Sequence, residues 1–189
     1  MKKGFTLIEL LVVIAILAIL ATITVLVLNP AQLFAQARDS QRISDLSTLK
    51  AAVSLYLTTV TSPDLDGTGG AFTCATNFGS DKAGVTSPMT ASTLAQSAVF
   101  TVTGLGWVPV NLASTTGGSP LAALPRDPVT TGTTYFYSYS CNNTDKTFEL
   151  DANMESSRYA NSGSDDVEST DGGNNANYFE LGTEPGLDL

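Results

Sequence analysis

Residues 10–28 are aliphatic at every position except Thr22 and Thr24, and a carboxylate, Glu9, stands directly before them. These nineteen residues make a helix of about 28 Å, close to the thickness of a bilayer's hydrocarbon core. Both threonines can return their hydroxyls to the helix backbone. An acid at membrane depth is costly and marks function. Lys2 and Lys3 precede the run, so the positive-inside rule leaves the N-terminus in the cytoplasm and the rest of the chain outside. An ordinary secretory signal is the rival reading, with Ala35-Gln36-Ala37 as a small-residue cleavage site. Against it, the apolar run exceeds the roughly 7–15 residues of a signal core. The run also opens on an acid, and the helical pattern continues past that cut.

Leu33, Ala37, Ile43, Leu46, Leu49, Val53 and Leu57 recur mostly at spacings of three and four, which predicts one apolar stripe on a helix. Arg38, Asp39, Arg42, Asp45 and Lys50 fall elsewhere and read as a solvated face. Pro30 should kink the helix or open its hydrogen bonding, and Ser62-Pro63 ends it. Residues 6–60 are therefore expected to form one long helix, with a bilayer-spanning first half and an amphipathic second half. That second half needs a globular domain to cover its stripe.

Charge and composition narrow what such a domain does. The chain has a net charge of −9, so it has no general attraction for phosphate backbones, and nucleic acid is not an expected partner. It has no histidine, which removes Ser-His-Asp and Cys-His catalysis and HExxH zinc sites. Its two cysteines, Cys74 and Cys141, are not in a CxxC. In an exported domain they read as one disulfide, worth about 4 kcal/mol in the chain-entropy model; the other reading is two separate buried thiols.

Met1-Lys2-Lys3-Gly4, then Phe5-Thr6-Leu7-Ile8-Glu9 and an aliphatic helix, resembles the start of type IV pilins and type II secretion pseudopilins. The resemblance implies that a membrane aspartyl peptidase, the prepilin peptidase, cuts between Gly4 and Phe5 and methylates the new amine of Phe5. It implies a pilin-like α+β fold: one long N-terminal α-helix packed on a small antiparallel β-sheet. The expected divisions are a leader at 1–4, a transmembrane half-helix at 5–28, an amphipathic half at 29–60 and an exported globular domain at 61–189. The physics agrees with the motif. Glycine lets an extended backbone pass closely through a protease. Cleavage then puts a positive amine four residues before Glu9, at a helix N-terminus where a carboxylate is favoured. In a filament, Glu9 can meet the Phe5 amine of a neighbour and set its register. In a single chain, Glu9 can instead cap its own helix.

Beyond residue 60 the chain reads as loop and short strands. A short helix is expected at 91–98, with strand pieces at 99–102 and 107–110. Trp107 reads as a core or helix-facing anchor. "YFYSYS" at 135–140 places Tyr135, Tyr137 and Tyr139 on one face, packed against the helix stripe. "KTFELDA" at 146–152 completes a hairpin, and Tyr178, Phe179 and Leu181 add a final strand. "LPRDP" at 124–128 with the two strands after it resembles the post-loop segment of major pseudopilins, where Asp127 makes a turn. Residues 61–120 resemble nothing nameable.

Residues 145–189 carry eleven acids against Lys146 and Arg158. Asp165, Asp166 and Asp171 lie on a glycine-rich loop and offer hard oxygen ligands, without the EF-hand spacing. Major pseudopilins bind calcium in a C-terminal loop, so the resemblance implies Ca²⁺ here. A solvated acidic loop with no required cofactor is the other reading.

The resemblance thus implies a non-enzymatic structural subunit. It would assemble into a helical homo-oligomer that drives protein secretion, with an inner-membrane platform protein and an assembly ATPase as partners. The alternatives are a type IV pilus pilin for adhesion, motility or DNA uptake, an exported binding module working through residues 61–120, and an anchored enzyme.

Overall fold

The computed structural model describes residues 4–67, 73–74, 76–80 and 94–189, with the side chains of 94–96 left aside. Two helices lead. Helix α1 spans Leu7–Leu28 and helix α2 spans Pro30–Thr59. Between them Asn29 adopts the left-handed conformation, with φ 39°. The cause is local. Pro30 has no N–H for the preceding turn and biases the residue before it away from the right-handed helical region. It then serves as the first residue of α2, where its fixed φ suits a helix start. The Asn29 carbonyl accepts from the amides of Gln32 and Leu33, so α2 follows α1 with no loop between. The long helix is thus interrupted at one residue.

Helix α1 buries no residue. Its large apolar side chains are exposed along the whole length, from Leu7 to Leu28. Thr22 and Thr24 donate their hydroxyls to the carbonyls of Ala18 and Leu20, so the helix offers its surroundings little unmatched polarity. By length and composition it can cross a membrane.

Helix α2 covers the sheet. Strands β1 (Asn77–Ser80), β2 (Leu94–Ser97), β3 (Tyr137–Asn142), β4 (Thr147–Ala152) and β5 (Phe179–Gly182) are arranged in the order β2-β1-β3-β4-β5. Strand β1 pairs antiparallel with β3, β3 with β4 and β4 with β5, and β2 adds to the β1 edge in parallel. The helix expected at 91–98 is therefore corrected: residues 94–97 are strand β2, and 91–93 lie outside the described residues. Its alanine-rich composition favours helix only weakly, and sheet pairing overrides it. The strands expected at 99–102 and 107–110 are not strands. Those segments bond through isolated contacts, including Trp107 N–H to the Val99 carbonyl, Leu124 N–H to the Phe100 carbonyl and Ala113 N–H to the Val102 carbonyl, with a bridge between Thr103 and Asn111.

The core lies between α2 and one sheet face. Leu46, Leu49, Val53 and Tyr56 of α2 meet Tyr137, Tyr139, Phe148, Leu150, Ala152 and Phe179. These strand residues alternate, as a half-polar sheet requires. Trp107 fills the core, donates from Nε1 to the Pro125 carbonyl at 3.0 Å and packs on Tyr137. Tyr137 reaches Asp45 on α2, and Tyr139 donates to the Leu65 carbonyl. Each buried phenol therefore has a partner. Tyr135 precedes β3 and is only half-buried. A disulfide joins Cys74 and Cys141, tying the segment before β1 to the end of β3.

The stripe on α2 differs from the apolar pattern. Leu33 and Ala37 are exposed, while Asp39 and Arg42 are wholly buried. The buried face runs Ala35, Asp39, Arg42, Leu46, Leu49, Val53 and Tyr56. Its spacing is helical, but its upper third is ionic.

Candidate functional site

Two regions matter: the N-terminal mouth of α1, and the ionic clamp that fixes the domain on α2.

At the mouth, Thr6 is the N-cap of α1. Its hydroxyl accepts the amide of Glu9 at 3.3 Å and donates to Glu9 Oε2 at 2.7 Å. Glu9 Oε2 also accepts the Thr6 amide at 2.8 Å. This reciprocal capping box satisfies orphan donors at the helix start, and Thr-x-x-Glu in the sequence encodes it. Both cap contacts use Oε2; among the described residues, none engages Oε1. Phe5 is 86% exposed just outside the cap, and Gly4 has open space around it. Gly4 and Phe5 thus precede the first turn of α1, outside any regular element.

The clamp lies where α2 meets the sheet. Arg42 donates from Nε and Nη2 to both oxygens of Asp127, at 2.7 and 2.9 Å, and from Nη1 to Asp39 at 2.7 Å. Its guanidinium also stacks 4.7 Å over the Tyr135 ring. Asp39 further accepts the amides of Glu155 and Ser156 just after β4. Arg38 grips Glu155 with two bonds, at 2.7 and 2.5 Å. Burial opposes the Arg42 charge, but Asp127 and Asp39 more than offset it and raise its pKa above the ordinary arginine value. The Arg38 guanidinium holds the Glu155 carboxyl below its usual range. Asp127 also makes the expected turn, accepting the Val129 amide at 2.7 Å. Its ion pair across 85 residues was not legible in sequence. The signal was present as an acid and a base three apart, in phase with Leu46 and Leu49.

The acidic loop between β4 and β5 folds on its own carboxylates. Glu168 is buried and accepts the amides of Met154 and Asn161. Asp166 accepts the amides of Ser162 and Ser169, and the Ser169 hydroxyl. Those contacts, the Ser169 side chain first, hold its carboxyl below its ordinary value. Asp165 pairs with Arg158. Asp171 accepts the amides of Gly173 and Glu180. The three aspartates therefore sit on separate partners. The convergent acidic group among the described residues is a different one, Glu149, Asp151 and Glu180.

A family model, the prokaryotic N-terminal methylation motif, matches residues 1–25. No curated protein and no solved structure matches the chain. The matched segment contains the Gly4-Phe5 bond, the Thr6–Glu9 cap and most of α1. This motif, followed by a long N-terminal helix laid on a small sheet, is similar to the arrangement of type IV pilins and pseudopilins.

Proposed function

We propose that the chain is the major-pseudopilin-type subunit of a type II secretion pseudopilus, cut by prepilin peptidase after Gly4 and assembled into a filament that drives protein secretion. The observation that carries the filament role is α1: a helix of 22 residues with none buried, headed by a carboxylate. Such a helix is stable in lipid before assembly and in a bundle of its own copies afterwards. Lipid tails are as apolar as leucine, so exchanging one environment for the other changes little hydrophobic free energy. Specificity then falls to polar groups. Cleavage converts the Phe5 amide into an amine. Glu9 keeps its cap through Oε2 and offers Oε1 to the Phe5 amine of a neighbouring subunit. A subunit in the wrong register leaves both charges unpaired in an apolar core.

The N-terminus then lies in the cytoplasm, the domain on the outer side of the inner membrane, and the platform protein and assembly ATPase act from the cytoplasmic side. The pseudopilin reading rests on the resemblance of "LPRDP" and the two strands that follow it, with Asp127 making a turn ahead of the β3–β4 hairpin. The filament requires no cofactor, and the loop aspartates Asp165, Asp166 and Asp171 stay with their own separate partners.

Glu9→Ala tests the filament role: membrane insertion stays and filaments are lost. Normal filaments from this variant refute it. Deleting the gene separates the two systems. A block in protein export with surface pili intact supports the pseudopilus; loss of pili with export intact assigns the chain to a type IV pilus.

A further inference from the structure

The sheet face turned away from α2 is polar and buried. It carries Ser138 and Ser140 on β3, Glu149 and Asp151 on β4, and Glu180 on β5. The register sets Asp151 directly opposite Ser138 on one side and directly opposite Glu180 on the other. Glu149 lies two residues along β4 on the same face. One oxygen from each of Glu149, Asp151 and Glu180 falls within 4.8 Å of the others. None of the three residues is more than 2% exposed. Like charges directly opposite on paired strands repel, and burial amplifies the cost.

The ordinary remedies are only partly present. The Leu189 amide donates to Glu149 Oε2 at 2.9 Å, and the Asn175 amide donates to Glu180 Oε2 at 2.8 Å. The Ser138 hydroxyl reaches Asp151 Oδ2 at 3.4 Å. Asp151 Oδ1 is buried and has no hydrogen-bond partner. Among the described residues, the ion pairs of Arg38, Arg42 and Arg158 go to other acids, and no base reaches this group. Buried acceptors without partners are rare and point to something that supplies positive charge. The surrounding chain is shaped to the group as well: a Cβ on Gly173 would stand 2.1 Å from Glu180 Oε2.

We propose that Glu149, Asp151 and Glu180 bind one hard divalent cation, calcium being the best fit, on the buried sheet face. Three carboxylates offer up to six oxygens, and calcium accepts six to eight in irregular geometry. A shared proton cancels one of the three charges; a divalent ion cancels two and also engages the orphaned Asp151 oxygen. The ion ties β4 to β5 at the point where the acidic loop returns to the sheet. This site is separate from the loop aspartates Asp165 and Asp166, and it does not depend on which filament the chain builds.

The test uses the full chain in detergent, stripped with EDTA, with thermal unfolding followed by Trp107 fluorescence. At a hundredfold excess over its dissociation constant, CaCl₂ should raise the wild-type midpoint by roughly 5 °C or more. Asp151→Asn and Glu180→Gln should lose that shift, and Asp166→Ala should keep it. Should Asp151→Asn fail to fold, equilibrium dialysis with radioactive calcium decides. One ion per wild-type chain and none on Glu180→Gln supports the site, and equal binding by both overturns it. The proposal is also overturned if neither CaCl₂ nor MgCl₂ moves the wild-type midpoint. A shift that survives in Glu180→Gln but disappears in Asp166→Ala likewise overturns it, because the ion then sits in the loop.

Discussion

Removing Arg42 isolates the ionic term that helps hold the globular domain on helix α2. In Arg42→Ala two buried carboxylates lose their cation: Asp39, with no exposure, and Asp127, 3% exposed. Asp39 keeps the amides of Glu155 and Ser156, and Asp127 keeps that of Val129. Neither oxygen set is stripped bare, but the charges remain. Breaking a buried pair in this way costs about 3–5 kcal/mol. For a chain of this size that corresponds to a midpoint lowered by roughly 10 °C. Arg42→Met combined with Asp127→Asn removes charge from both sides at similar volume and should recover part of the loss, because replacing a buried pair is milder than halving it. Urea unfolding read by Trp107, the chain's single tryptophan, measures both variants. Trp107 bonds the Pro125 carbonyl two residues before Asp127, so its emission reports this region directly. A loss below about 1 kcal/mol in Arg42→Ala, the range of a surface pair, would show that the buried ion pair does not hold the domain on α2.

Other perturbations follow from the same contacts. Cys74→Ser with Cys141→Ser, or reduction of the wild type, should lower stability by about 4 kcal/mol, the chain-entropy value for this loop, measured by the same urea titration. Gly163→Ala should destabilise the acidic loop, since the new Cβ would lie 2.3 Å from the Arg158 carbonyl and 2.6 Å from that of Ser157; faster proteolysis confined to residues 157–171 would report it. In chelator, stability should fall as pH rises from about 4.5 to about 8. Burial first, then the Glu149 and Asp171 carboxylates, push Glu180 from its ordinary 4.5 up to about 8, with Asp151 also raised by burial and by its two neighbours. The native state therefore binds more protons than the unfolded chain in that window, so its advantage is complete below the window and lost through it. Glu180→Gln should flatten the profile, as midpoints recorded across pH would show. Thr6→Ala should fray the first turn of α1 by about 1 kcal/mol of capping, seen as faster amide exchange at residues 7–9.

The parts legible in sequence were those governed by local rules. The aliphatic run gives α1, Glu9 can be read as capping its own helix, and Pro30 gives the break, because each depends on neighbours within a turn; the reciprocal part of Thr6 in that cap came only from the structure. The hairpin of β3 and β4 follows from alternation and a short polar turn. Strand β2 was not legible, since its identity comes from β1 beside it rather than from its own residues. Asp39 and Arg42 were assigned to solvent because an apolar stripe counts only apolar residues. Only the fold shows Asp127 arriving from 85 positions away. Glu149 and Asp151 alternate visibly within "FELDA", but nothing local says that Glu180 will stand opposite them on a buried face.

Under the proposed function the chain is a processed filament subunit whose first residue becomes half of an intersubunit ion pair. Mass spectrometry of the N-terminal peptide from the membrane fraction tests it most directly. A mature chain beginning at Phe5 with a methylated amine is expected. A chain beginning at Arg38, or one retaining Met1, would contradict it.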